Sequence, residues 1–197
     1  TRSILAQLTT NCTEVDATPG ITVGVKVILV LGQDGVWYFV APGSLVPKDG
    51  CKVLLTSNFS IPNNAITPVT WTAGNSEEKF DTNGYHNPDS NPGRLTVPPG
   101  SEGTFLVLAR LEYEPNATDV RVAYLRHKDS GGVQVEVSTE VRPNNTASYS
   151  VAVSVMDVFD MEAGDYVQVD GLQVSGVALN LFAGSTHLTM IRLGSSL

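Results

Sequence analysis

The chain has 197 residues, 42% hydrophobic and 16% charged, with 12 basic against 20 acidic side chains and a formal charge of −8. That apolar content excludes a disordered tail, and two cysteines exclude a disulfide scaffold; the acidic balance excludes a nucleic-acid partner, which needs clustered Lys and Arg. The longest apolar stretch, Ile21 to Leu31, contains Lys26 and falls well short of the roughly 20 residues of a membrane-crossing helix, so no membrane partner is expected.

Taken in chain order, the sequence reads as strands. Apolar residues alternate with others at period two, the signature of a strand with one buried face. Ile21, Val23, Val25, Val27, Leu29 and Leu31 line one face of a first strand. Gly32 to Gly35 is a turn, and Val36 to Val40 returns as an aromatic strand, which predicts a hairpin. The pattern recurs at Phe105, Val107, Ala109, Leu111 and Tyr113, at Val133, Val135 and Val137, and at Tyr149, Val151, Val153 and Val155. Tyr166 to Val169, Val177 to Phe182 and Leu188 to Leu193 complete it. Gly and Pro fall mainly between these runs, and no window of a dozen residues keeps a helical period. The fold class expected is all-β, as a sandwich, jelly roll or barrel.

Charge divides the chain. Through Asn64, Arg2, Lys26, Lys48 and Lys52 balance Glu14, Asp16, Asp34 and Asp49, so the whole −8 lies from Ala65 onward. The polar stretch Ser57 to Ala65, with Pro62, coincides with this shift. It predicts a boundary there: a small neutral β-rich docking segment over 1–60 and an acidic domain over 61–197.

The second part resembles a known family. Ile61-Pro-Asn-Asn-Ala-Ile-Thr-Pro-Val-Thr-Trp71 resembles the opening strand of the complement C1q and tumour-necrosis-factor jelly roll, in the form found in bacteriophage head and tail proteins. Phe80-Asp-Thr-Asn-Gly-Tyr-His-Asn-Pro88 and Asn91-Pro-Gly-Arg-Leu-Thr-Val-Pro-Pro-Gly100 resemble the stretch before its long core strand, here Thr104 to Glu112. Met161-Glu-Ala-Gly-Asp-Tyr-Val-Gln-Val169 resembles a later hairpin, and Leu188 to Leu193 the closing strand. Within that hairpin, Gly164 suits a positive dihedral and Asp165 suits a bond to its own turn backbone. The resemblance implies a homotrimer. Tyr113, Tyr124, Tyr166 and Phe182 are the candidate axis-facing residues; the alternative is that they are ordinary core aromatics.

No catalytic pattern emerges. There is no nucleophile elbow, phosphate loop or zinc pair, so no enzyme activity, metal or cofactor is expected. His86, His127 and His187 lie in separate runs, with His127 reading as a solvated strand end. Glu112 and Glu114 read as the polar face opposite Leu111 and Tyr113, and Asp81 to Asn91 as a turn in preference to a calcium loop. Cys12 and Cys51 are either bridged or free, with free thiols preferred. Val36, Trp37, Tyr38 and Phe39 are the candidate docking residues, because a run of apolar residues fills both faces of a strand. One face then packs on the core and the other meets a partner, unless both are buried within their own domain.

These readings predict a virion structural protein on the outer surface of a phage capsid or on its tail. The preferred role is capsid decoration, with the major capsid protein as partner. The alternative is a trimeric tail adhesin that recognises host surface glycan through loops such as Phe80 to Pro92.

Overall fold

The computed structural model describes residues 28–31, 37–40, 49–143 and 147–194. The chain divides into two compact units, Thr1–Val46 and Pro47–Leu197. In the first, β1 (Ile28–Leu31) and β2 (Trp37–Val40) pair antiparallel, with Leu31 opposite Trp37 and Ile28 opposite Val40, the pairing a hairpin requires. Val36 lies outside the described residues.

The second unit is a sandwich of antiparallel strands. They are β3 (Gly50–Leu55), β4 (Phe59–Ile61), β5 (Thr67–Pro68), β6 (Ser76–Asp81), β7 (Leu95–Thr96), β8 (Gly103–Tyr113), β9 (Val120–Lys128), β10 (Gln134–Pro143), β11 (Val151–Met161), β12 (Tyr166–Gln173), β13 (Leu179–Leu181) and β14 (His187–Gly194). One sheet runs β11-β8-β14-β3-β6, extended past Tyr113 by β13 and β4. The other runs β10-β9-β12-β5, with β7 also on β12.

β8 shows why these residues make this sandwich. Phe105, Val107, Ala109, Leu111 and Tyr113 are fully buried, while Leu106, Leu108, Arg110 and Glu112 point away from the core. Burial of one such face contributes about 25 cal/mol per Å2 of apolar surface. Across the core stand Ala123 and Leu125 of β9 with Val167 and Val169 of β12, while β3 and β14 add Val53, Leu55, Leu188 and Met190. The Tyr85 ring meets Phe105 edge-on at 6.0 Å.

The Tyr113 side chain spans the sandwich, and its hydroxyl donates to the Val122 carbonyl at 2.7 Å. That reach needs a bare backbone opposite it. A Cβ on Gly171 would stand 2.8 Å from the Tyr113 hydroxyl and 3.1 Å from Ile61 Cδ1. Gly171→Ala is therefore expected to destabilise the sandwich by about 1–3 kcal/mol through overpacking, read as a lower urea midpoint at unchanged slope.

Four expectations are corrected. The unit boundary lies at Val46–Pro47 and not at 60/61, because β3 pairs with β14 and β6 inside the sandwich. The polar Ser57 to Ala65 stretch is an internal connection bearing β4. Ile61 to Trp71 is therefore not the opening strand; β3 is the strand that pairs with the closing strand β14. Met161 to Val169 is not a hairpin either. β11 pairs with β8 and β12 with β9, so this turn carries the chain from one sheet to the other. Its chemistry is as expected: Gly164 has φ +88°, and the Asp165 carboxylate accepts from the Glu162 amide at 3.1 Å.

The fourth correction concerns His127, which is buried and not solvated. Its Nε2 lies 3.2 Å from Asp165 Oδ2, and its ring packs on Phe159 at 5.4 Å. Cys51 is a free thiol buried beside β6, and burial pushes its pKa up; Cys12 lies outside the described residues.

Candidate functional site

Each sheet has one face on the core, so the outer faces decide what the sandwich can meet. On β9 and β12 the outer face carries Tyr124, Arg126, Lys128, Gln168 and Asp170. Asp170 accepts from Arg126 at 2.6 Å and from Gln168 at 2.7 Å. This is a polar surface whose charged groups are hydrogen-bonded to one another.

The outer face of β11-β8-β14-β3 is different. Pairing register places Val158, Leu106 and Ile191 side by side in one row, and Met156, Leu108 and Thr189 in the next. Met156 is 60% and Val158 49% exposed. Leu106, Leu108 and Ile191 are half-buried. Polar groups flank the rows. At one end Thr104 donates to Asp160 at 2.5 Å; at the other, Arg110 pairs with Glu112 at 2.9 Å. An apolar centre with a charged rim is the anatomy of a protein–protein contact.

A second apolar strip lies on the edge strand β10, where Val135, Val137 and Val141 are 52%, 43% and 51% exposed. The opposite side of β10 is polar, and Ser138 donates to Asp157 of β11, tying the two sheets together along this edge. One chain thus carries an apolar face and a separate apolar edge. Contact between unlike surfaces is head-to-tail, and such contacts close into rings when the rotation permits.

Glu112 anchors the rim electrostatically. Hydrogen bonds from Arg110 and Ser150 hold its carboxyl below the ordinary value of 4.5, against the opposing effect of burial. A folded-state value below the unfolded one stabilises the fold above the unfolded pKa, and that contribution is lost as pH falls through the folded value. Glu112→Gln should therefore lower the melting temperature at pH 7 and make the loss of stability on acidification below about pH 4.5 shallower than in the parent. Melting curves from pH 3 to 7 measure both effects.

The expected trimer-interface aromatics do not share this face. Tyr113 belongs to the core of its own chain, which removes it from any subunit contact. Tyr124 and Tyr166 stand on the other sheet, Tyr166 covered by the Arg94 guanidinium at 4.2 Å, and Phe182 lies past β13. Trp37, Tyr38 and Phe39 are described only in their pairing with Leu31, Val30 and Leu29.

The loop after β6 is organised by one side chain. Asp81 accepts from the amides of Asn83, Gly84, Tyr85 and His86 at 2.8–3.3 Å, so its carboxylate is engaged by backbone. Among the described residues no three His, Cys, Asp or Glu side chains converge as a metal site. Tyr85 donates to Asp49, and burial together with that carboxylate pushes its pKa up to about 12.

The arrangement of the two sheets can be set against solved structures. The globular domain of zebrafish complement 1qA protein shares 16% identity and covers 75% of this chain and 99% of its own, with a TM-score of 0.50. Eiger TNF from S. frugiperda shares 12%, covering 77% and 96%, with a TM-score of 0.53. The fold is the C1q/TNF-like jelly roll. Murine APRIL fits the same jelly roll at 13% identity, covering 73% and 98%, with a TM-score of 0.51. No protein-family model matches the sequence, and no curated protein matches it.

Proposed function

We propose that the protein is a non-enzymatic, homotrimeric structural module of a phage virion, a capsid decoration protein. In this reading three jelly rolls close a ring, each covering the next copy's Leu106, Leu108, Met156, Val158 and Ile191, with the β10 edge supplying the opposing apolar strip. The observation that carries the assembly is the contrast between the two outer faces: one polar and internally bonded, the other apolar in two adjacent rows.

The decoration role rests on the division of charge. Arg2 and Lys26 against Glu14, Asp16 and Asp34 leave the first unit at −1, so −7 of the total −8 belongs to the jelly roll. A near-neutral unit with the aromatic strand Trp37–Val40 suits attachment to the major capsid protein, while acidic heads repel one another and stay solvated. Replacing Trp37 or Phe39 by Asp is expected to abolish attachment to capsids and leave the trimer intact. Unchanged capsid occupancy would contradict the role.

One observation favours a second reading, a tail adhesin for host glycan. The end of the Phe80 to Pro92 loop borders a shallow cleft of about 340 Å3 shared with Arg94, Tyr166 and Gln168. Binding of the isolated protein to host cells, lost on cutting that loop, would select the adhesin over decoration.

A further inference from the structure

The charged end of the apolar sheet face holds a cleft of about 470 Å3 that none of the preceding argument uses. Its walls are Lys52 and Leu54 of β3, Lys79 of β6, Arg110 of β8, His187 of β14 and Ser185 in the turn before it. The fold brings them together by register. Leu54, His187 and Arg110 stand opposite one another in one row, and Lys52 lies one row on, paired with Phe80 beside Lys79.

Three basic side chains and a histidine thus meet on a chain that carries only 12 Lys and Arg in all, and no carboxylate lines the cleft. The nearby acids stand outside it and orient the cations: Glu112 holds Arg110 at 2.9 Å and Glu77 holds Lys79 at 2.7 Å. Lys52 has no ion-pair partner among the described residues. The positive field is felt at the His187 ring, where burial first, then Lys52 and Arg110, favour the neutral form. Lys52 is thus the one Lys or Arg of the cleft without a carboxylate partner among the described residues, and a bound anion would complete it.

We propose that this cleft binds a tetrahedral oxyanion, a phosphate or sulfate group, carried on a sugar-sized body. The charge class follows from the converging cations, with Arg110 suited to paired contact with two anion oxygens and Lys52 and Lys79 acting as point charges. The sugar-sized body follows from the volume, which lies within the range of small-molecule sites and exceeds what one oxyanion fills. Ser185 and the neutral His187 ring supply hydrogen-bonding groups for hydroxyls. Every wall comes from one chain, and Lys52 shares a row with Thr189, Leu108 and Met156, so the cleft opens at the rim of the proposed subunit contact.

The test is calorimetric titration of the whole protein with glucose 6-phosphate, inorganic phosphate, inorganic sulfate and unmodified glucose. Saturable binding of one glucose 6-phosphate per chain, tighter than inorganic phosphate and absent for glucose, is expected. If inorganic phosphate binds as tightly as the sugar ester, the sugar-sized body is wrong. The double variant K52Q/K79Q alters half-buried and exposed side chains and should keep the parent melting temperature while weakening binding at least tenfold. In parallel, the His187 imidazole titration followed by NMR should move to higher pH when the anion neutralises Lys52 and Arg110, with Lys79 and Glu112 as the other charges near it. Non-saturable binding, equal affinity of K52Q/K79Q, or an unmoved His187 titration would overturn the proposal.

Discussion

Leu108→Glu is expected to convert the proposed trimer to folded monomers. Leu108 sits at the centre of the apolar face, between Met156 of β11 and Thr189 of β14, and its side chain points away from the core. Within one chain the substitution places a carboxylate where water already reaches, so folding loses little. Within a trimer it removes about 2 kcal/mol of apolar burial from each subunit contact. It also buries an unpaired carboxylate, which costs several kcal/mol more. Each 1.4 kcal/mol is tenfold in affinity, so the three contacts together shift dissociation by many orders of magnitude. Circular dichroism and melting should show an intact β fold, while light scattering reports the mass of one chain. A trimer that survives Leu108→Glu would place the subunit contact elsewhere.

The largest loss of stability is expected from Arg121→Met. Arg121 is fully buried at the start of β9, just after the crossover from one sheet to the other. Its guanidinium donates to the carbonyls of Asn116 at 2.8 Å, Thr118 at 2.9 Å and Val120 at 3.0 Å. The first two are carbonyls of the crossover itself, where Asp119 holds φ +60°, and the third opens β9 and also accepts from the Val174 amide at 3.3 Å. The cation therefore acts as an internal cap for a segment that no strand ladder serves, and burial pulls its pKa down from the usual arginine value. Methionine keeps much of the volume and supplies no donor. Carbonyls left without partners cost about 1–3 kcal/mol each when they stay buried, and partial hydration of this loop recovers some of that. The net expectation is about 2–4 kcal/mol, or roughly a 10 °C fall in melting temperature for a unit of this size. Arg121→Lys should recover only part of it, because one ammonium cannot span all three carbonyls. A loss under about 1 kcal/mol would mean the crossover is held by other contacts.

What the sequence disclosed, and what it hid, both follow from which residues face the core. β8 was legible because its inward positions from Phe105 to Tyr113 are all apolar, and the alternation gave the strand nearly to the residue. β9 escaped notice because its inward row includes Arg121 and His127, two polar side chains whose partners, the crossover carbonyls and Asp165, are remote or invisible in a linear reading. β3 is hard to read because six residues containing Lys52 make a weak pattern, and because the polar Ser57 to Ala65 connection that follows has the composition of a domain boundary. Charge composition marks solvated loops as readily as it marks boundaries.

The apolar face of β11, β8 and β14 carries a signal in the sequence as well. Consecutive apolar residues fill both sides of a strand, the argument applied to Val36 to Val40. It applies equally to Phe105-Leu106-Val107-Leu108-Ala109, where Leu106 and Leu108 had to point somewhere other than the core. Searching for aromatics led instead to Tyr113, whose hydroxyl is used inside the fold, and to Tyr166, whose ring is covered by Arg94. Large rings are conspicuous in a sequence, but register decides which side of a sheet they occupy. The neighbouring basic cleft is not legible in the sequence, since Lys52, Lys79, Arg110 and His187 come from four separate strands.

The central claim, that the apolar face of β11, β8 and β14 is covered by further copies of the chain, is tested most directly by the native mass. Light scattering coupled to gel filtration at micromolar concentration is predicted to give three times the 21.0 kDa of the chain, unchanged on dilution. A stable mass of one chain at that concentration would contradict it.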